Sequence, residues 1–116
     1  MSIKFNHIGV PIARVTPEME HHADGKFWEC GPDANPFHVE FMHFEDDAPY
    51  PVEHKTLPHV CFEVDDMEPY FKYAERIILG PCAVGNLWAV FFQMKDLPLN
   101  IELYCEKKPD IEPVGI

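Results

Sequence analysis

The sequence predicts an α+β fold in which a β-α-β-β pattern occurs twice, with a linker between the two copies. The length of 116 residues is typical of one domain. Twelve prolines divide the chain into short segments, which favours strands and loops over long helices. The two halves also open and close on similar segments, which indicates an internal duplication.

Three strands and one short helix are predicted in the first copy. The strands cover residues 3–10, 26–29 and 37–44, and the first of them is rich in β-branched and aromatic residues. Thr16 and Pro17 are typical of a helix start, with threonine as the N-cap and proline in the first turn. Asp24 and Gly25 follow closely, so this helix is expected to be short.

An acidic, proline-rich segment over residues 45–57 has no periodic pattern and predicts the linker. The second copy is predicted to contain strands over residues 59–64, 87–94 and 99–104. Asp65 and Asp66 are expected to cap a helix over residues 67–79, because apolar residues recur there near helical spacing and Gly80 follows.

The excess of acidic residues excludes two classes of partner. The formal net charge is -11 at pH 7, whereas nucleic-acid binding depends on Lys and Arg that neutralise phosphates. An anionic membrane surface would repel the chain for the same reason. No apolar run approaches the roughly 20 residues that span a bilayer, and the first residues lack the pattern of a signal peptide. We therefore expect a cytoplasmic protein that binds a small molecule, with no nucleic acid and no membrane, and with its four cysteines reduced.

Four ionisable residues lie at equivalent positions in the two copies. The opening strands carry His7 and His59, and the closing strands carry Glu40 and Glu102. Side chains alternate along a strand, so the apolar neighbours of all four face the opposite side of the sheet, where they are expected to pack under the helices. Two imidazoles and two carboxylates are a mixed N/O ligand set for Zn²⁺, Ni²⁺, Co²⁺, Fe²⁺ or Mn²⁺. The alternative is an ordinary exposed polar face.

Three segments carry a family resemblance: FNHIGVPI, LPHVCFEVDD and NIELYCE. In their order and spacing they resemble the vicinal oxygen chelate superfamily over about residues 3–106. That superfamily includes glyoxalase I, fosfomycin-resistance proteins, methylmalonyl-CoA epimerase and extradiol dioxygenases. The resemblance implies paired βαβββ modules that form a cupped mixed sheet around a metal, with His7, Glu40, His59 and Glu102 as its ligands.

The resemblance also implies boundaries within a single glyoxalase-like domain over residues 1–116. The first module covers about residues 3–45, the linker about 45–57 and the second module about 58–106. The interval from His7 to Glu40 is short, so the first module is abbreviated. An abbreviated module leaves edge strands exposed, and we therefore expect a homodimer.

The activity that the resemblance implies is that of a metal-dependent small-molecule lyase or isomerase similar to glyoxalase I. Two substrate oxygens would chelate the divalent metal, which acts as a Lewis acid, and Glu102 or Glu40 would carry the proton. Pro11 stands where glyoxalase I has a basic residue that helps to hold glutathione, so glutathione is not implied. The alternatives are a non-catalytic binding module for a small, antibiotic-type ligand and a metal-storing or structural site.

Two further residues share a face with the four. Glu63 lies two positions after His59, as a candidate acid or base or as a contact of a ligand, and His38 lies two positions before Glu40. His43 and His54 have no partner that the sequence identifies.

Overall fold

Eight strands form one mixed sheet, and the helices are few and short. A computed structural model describes residues 2–115. The strands are β1 (Ile3–Pro11), β2 (Glu20–His22), β3 (Phe27–Glu29), β4 (Val39–Phe44), β5 (His59–Val64), β6 (Ala74–Val84), β7 (Leu87–Met94) and β8 (Asn100–Cys105). The helices are α1 (Val52–Thr56) and two 3-10 helices, Pro32–Ala34 and Glu68–Tyr73.

The sheet consists of two four-stranded halves with the same topology. Its strand order is β2-β3-β4-β1-β5-β8-β7-β6. β1 and β5 run antiparallel at the centre, β4 lies parallel to β1, and β8 lies parallel to β5. The remaining neighbours are antiparallel, and the sheet is curled without closing. The predicted α+β class and the glyoxalase-like fold are therefore confirmed.

All six predicted strands are present. The strands predicted over residues 59–64 and 87–94 have the bounds of β5 and β7, and the other four differ by one or two residues at one or both ends. The agreement follows from composition, because β-branched and aromatic residues recur in these segments and a proline, glycine or acidic turn lies near most of their ends.

The helix predicted over residues 67–79 is wrong. A 3-10 helix covers Glu68–Tyr73, and the chain then continues as strand β6. Ile78 and Leu79 are buried at 0% and 4% exposure, and β6 pairs with β7 along its length. Pairing with the apolar strand β7 buries both faces of this segment, and β-branched side chains pack well on a sheet, so tertiary contacts override the helical spacing.

The short helix predicted from Thr16 is also absent. Thr16 and Pro17 instead begin a turn in which the Met19 N–H donates to the Thr16 carbonyl at 3.1 Å. Proline is favoured at the second position of such a turn. Strand β2 begins at Glu20, so too few residues remain to offset the cost of starting a helix.

The segment predicted as an irregular linker contains helix α1. This helix has five residues, Val52–Thr56, and begins after Pro51. Its Leu57 N–H donates to the carbonyl of Glu53 at 3.1 Å. The finding matters for the site, because α1 presents a buried histidine, His54, to the inner face of the sheet.

The main hydrophobic core lies on the outer face of the second half. Its buried members are Val64, Met67, Val90, Phe92, Leu103 and Cys105, and Tyr70 and Phe71 of the 3-10 helix pack against them. In the first half, Phe41 is 38% exposed and Phe37 is 75% exposed. Between residues 2 and 50 the only helix is the 3-10 helix Pro32–Ala34. The expectation that helices cover the apolar face therefore holds only for the second half.

All four cysteines are free thiols, as the sequence predicts, and three of them are buried. Within residues 2–115, the structure contains no helix with the length and apolar character that crossing a membrane requires.

Truncating a side chain of this core tests the packing. Leu103 is 1% exposed, so Leu103→Ala is expected to lower the free energy of unfolding by about 2–5 kcal/mol, through lost burial and the cavity left behind. Urea denaturation measures the change. Leu97 is 50% exposed, and Leu97→Ala serves as the matched control with little change expected. Equal losses in the two variants would contradict this core assignment.

Candidate metal centre

His7, His59 and Glu102 meet on the inner face of the sheet. They lie on β1, β5 and β8, which are three adjacent central strands. The register places Cys61 beside both His7 and Glu102 on the neighbouring strands. His7, His59 and Glu102 are all buried, with exposures of 2%, 3% and 4%. Strand alternation thus turns them to one side, as the sequence predicts.

The three side chains form a nearly regular triangle of donor atoms. Nε2 of His7 lies 3.3 Å from Nε2 of His59, and Oε1 of Glu102 lies 3.4 Å from the first and 3.3 Å from the second. A tetrahedral Zn²⁺ site with bonds of about 2.0–2.1 Å has ligand atoms roughly 3.4 Å apart. The spacing and the mixed N/O character of these atoms therefore fit a divalent metal ion.

Glu40 lies beside this triangle. Its Oε2 is 3.6 Å from Nε2 of His7, and the residue is 9% exposed. The cluster whose ligand atoms all lie within 4.8 Å of one another contains His7, His59 and Glu102. Three of the four predicted ligands therefore form a compact triad. The fourth, Glu40, contacts His7 of this triad.

Glu102 is an ionised carboxylate in a buried position. Burial alone would raise its pKa, but the hydrogen bonds and charges of His59 and His7 outweigh it and lower the pKa to about 2. A buried carboxylate of this kind is stable only beside positive charge or hydrogen-bond donors. Glu102 is therefore ionised, and a divalent cation could serve as the positive partner of its carboxylate.

Glu40 has the opposite electrostatic character. Burial is the largest cause that raises its pKa to about 9, followed by the hydrogen bond and charge of Glu29 and then the charge of Glu102. In the absence of a cation Glu40 therefore holds a proton at neutral pH. Two glutamates of one site thus differ in protonation because their surroundings differ.

Asn6 orients the ring of His7. A β-bulge between Phe5 and His7 brings Asn6 beside the ligand, with Asn6 Oδ1 at 2.6 Å from His7 Nδ1. The Asn6 amide donates to Glu63 Oε2 at 3.1 Å, which leaves its oxygen as the acceptor toward the ring. The proton of His7 thus belongs on Nδ1, and Nε2 is free to bind a metal. The sequence singled out Glu63, whereas Asn6 was missed because a bulge breaks strict alternation.

Gly9 provides the space for the ring of His59. It stands opposite His59 on β1, and a Cβ built on Gly9 would overlap the His59 imidazole. We therefore expect Gly9→Ala to displace this ring and to reduce bound metal to a small fraction of the wild-type amount. Elemental analysis of the metal-loaded protein measures the amount of bound metal. Gly31→Ala is the control, because a Cβ there meets no atom within 4 Å. Full metal content in Gly9→Ala would contradict the placement of His59.

A cavity of about 470 Å³ opens beside the triad. The residues that line it are His7, Phe27, Glu29, Pro32, Glu40, Met42, Phe44, Tyr50, His54, His59, Cys82, Ala83, Val84, Ala89, Phe91, Glu102 and Tyr104. Volumes of this size are typical of small-molecule sites. The inner face therefore combines the metal-compatible cluster with space for a ligand.

His54 is a candidate functional residue that the sequence did not identify. It is 6% exposed, and its ring lies among the rings of Phe44, Tyr50 and Phe91, with the nearest centroid at 4.5 Å. Within the described chain Nδ1 has no hydrogen-bond partner, which costs about 1–3 kcal/mol for a buried polar group. Burial is the main cause that lowers its pKa to about 4, so the ring is neutral. The segment was predicted as a linker, and only the tertiary fold brings it to the cavity.

The other candidate histidines lie away from the triad. His38 is exposed, with a left-handed backbone at φ 56. Nδ1 of His43 is 3.0 Å from the carbonyl of Ile12. His38 is therefore on the surface rather than beside Glu40 in the cavity.

The comparisons with known proteins agree with this geometry. The chain matches the sequence model of the Glyoxalase/Bleomycin resistance protein/Dioxygenase superfamily over residues 5–77, which include His7, Glu40 and His59. Neither the search of curated proteins nor the search of solved structures found a match. Members of this superfamily bind small molecules and often divalent metals. The chain belongs to the Glyoxalase/Bleomycin resistance protein/Dioxygenase superfamily, which is the vicinal oxygen chelate superfamily that the sequence resembles.

Proposed function

We propose that this protein is a metal-dependent lyase or isomerase of a small molecule, with chemistry similar to that of glyoxalase I. The observation that supports it most is the triangle of two imidazole nitrogens and one carboxylate oxygen, with sides of 3.3–3.4 Å. This donor set suits Zn²⁺, Ni²⁺, Co²⁺, Fe²⁺ and Mn²⁺ alike. A cytoplasmic location, expected from the sequence, is part of the same proposal.

His7, His59 and Glu102 would hold the ion, and Glu40 would complete the set as the fourth ligand. When bound, the ion supplies a Lewis acid that two substrate oxygens chelate and that stabilises the developing negative charge. Asn6 holds His7 in the correct tautomer, through the hydrogen bond to Nδ1. The aromatic side chains of the cavity, among them Phe44 and Phe91, would limit the water beside a bound substrate.

Of the two glutamates considered for proton transfer, Glu40 has the better support. Its buried position raises its pKa, so its carboxylate would be a strong base once it leaves the ion. It could then take a proton from one substrate carbon and return it to a neighbouring one. The two neighbouring histidines lower the pKa of Glu102 to about 2, so its carboxylate is a weak base. Glu102 is therefore assigned to metal binding alone, and Glu40 to both metal binding and proton transfer.

The test is an activity screen of the metal-loaded protein on hemithioacetals and on 2-oxo and 2-acyl compounds. We expect turnover that a chelator abolishes and that added metal restores. Glu40→Gln is expected to lower kcat by roughly 10²–10⁴-fold, which is the usual contribution of a positioned acid or base. Turnover that persists after complete metal removal would contradict the proposal.

The second candidate is a non-catalytic module that binds a small, antibiotic-type molecule. The aromatic wall formed by Phe44, Tyr50 and Phe91 favours it, because such walls hold flat ligands without chemistry. Tight binding by the loaded protein, with no turnover of any bound compound, would support this candidate against the lyase or isomerase.

We also propose that the protein is a homodimer. The first half leaves Phe41 of β4 and Phe37 just before it exposed, and β2 and β6 end the sheet as edge strands. At tens of micromolar, sedimentation velocity is expected to give a dimer for the wild type and a monomer for Phe41→Glu. A wild-type monomer at that concentration would overturn this assignment.

A further inference from the structure

The wall of the cavity carries negative charge and no positive side chain. Glu29, Glu40 and Glu102 line it, and none of its lining residues is Lys or Arg. A divalent ion would offset two of these three charges, so the wall would remain neutral or negative even with metal bound. An anionic group that lies in the cavity away from the metal would lose its hydration without gaining a cationic partner.

A second wall of the cavity is aromatic. The ring of His54 lies 5.4 Å from that of Phe44, 5.3 Å from that of Tyr50 and 4.5 Å from that of Phe91. Phe91 also lies 5.1 Å from the ring of His59, so the aromatic wall reaches the triad itself. A flat ring attached to a chelating group would thus contact this wall while its oxygens approach the metal site.

The buried imidazole of His54 indicates that this wall is built for a ligand. The residue is 6% exposed, lines the cavity and leaves Nδ1 without a partner in the described chain. Buried polar groups are rarely left without a hydrogen bond. A polar histidine in the middle of an otherwise apolar wall is therefore an observation independent of the acidic residues, and it points to a bound molecule.

We propose that the substrate is an uncharged small molecule with a ring that lies against Phe44, Tyr50 and Phe91, and that the cavity rejects anionic conjugates. The volume of about 470 Å³ suits one such molecule. This inference rests on the proposed function, because two oxygens of the same molecule would chelate the metal.

Three hydroxamic acids that share one chelating group test the proposal. Benzohydroxamic acid has an uncharged ring, acetohydroxamic acid has a methyl group instead, and 4-carboxybenzohydroxamic acid has an anionic ring. Each is titrated into zinc-loaded wild-type protein by isothermal calorimetry. We expect benzohydroxamic acid to bind at least about tenfold more tightly than either of the others, because its ring contacts the aromatic wall and brings no charge.

Two variants test whether the aromatic wall and the acidic wall cause these differences in affinity. Phe44→Ala is expected to reduce the advantage of the ring over the methyl group to within about threefold, whereas the exposed Phe37→Ala should keep it. Glu29→Gln is expected to improve binding of the carboxylated probe several-fold and to leave benzohydroxamic acid unchanged. Circular dichroism checks that each variant is folded. If Phe44→Ala does not fold, the relative affinities of the wild type for the three probes still test the proposal.

The outcomes separate this inference from the proposed function. Equal affinities for the three probes would overturn the substrate class and leave the metal chemistry in place. Tightest binding of the carboxylated probe would overturn the charge argument in the same way. Failure of the wild type to hold zinc, or to bind any hydroxamic acid once loaded, would overturn the proposed function and this inference with it.

Discussion

Replacing His59 or Glu102 by alanine is expected to reduce bound metal from about one ion per chain to nearly none. Each change removes one corner of the donor triangle, and Glu102→Ala also removes the ionised carboxylate that attracts a cation. The protein is loaded at neutral pH, freed of excess metal and assayed by elemental analysis. Thermal melts of the metal-free variants are expected to show a folded protein, because both side chains lie on the inner face, away from the main core.

Two exposed residues of the same types provide the controls. His21 lies on the edge strand β2, and Glu106 lies just beyond the end of β8. His21→Ala and Glu106→Ala should bind as much metal as the wild type. Equal metal in all four variants would contradict the proposed site. Absence of metal from the wild type, even after reloading, would favour the binding module over the enzyme.

The sequence was sufficient for six of the eight strands and for the face of the sheet on which His7, His59 and Glu102 lie. Alternation along a strand is a local property, so an ionisable residue between apolar neighbours can be assigned to a face without knowledge of the fold. The repetition of the pattern in both halves then indicates that these faces are equivalent. Equivalent positions of a duplicated unit meet when the units pair, as β1 and β5 do at the centre of the sheet.

The sequence was insufficient where distant contacts decide the local structure. Residues 67–79 have apolar residues near helical spacing, but pairing with β7 extends Ala74–Val84 as a strand. Asn6 reaches His7 through a bulge, and a bulge departs from the strict alternation that the sequence analysis assumes. His54 lies in a proline-rich segment that resembles a linker, and only the folded sheet supplies the rings that bury it. These misses concern the surroundings of the predicted site.

The protonation of Glu40 can be tested by counting the protons that metal binding releases. Its pKa rises from 4.5 to about 9, mainly through burial and then through Glu29, so the metal-free protein holds one proton there at pH 7. A carboxylate must be ionised to bind a metal. Uptake of a divalent ion at pH 7 is therefore expected to release about one proton from Glu40 per site.

The sign of the pH dependence follows from the same proton. Below a pH of about 9, metal and proton compete for Glu40, so metal affinity is expected to rise by about tenfold for each unit of increase in pH and to level off above that value. Calorimetry in buffers of different ionisation enthalpy counts the released protons. Glu40→Gln has no proton to lose, so its metal binding should release nearly none and lose this part of the slope. Equal proton release from the wild type and Glu40→Gln would show that the proton belongs to another group, and Glu40 would then lose its assignment as fourth ligand and proton carrier.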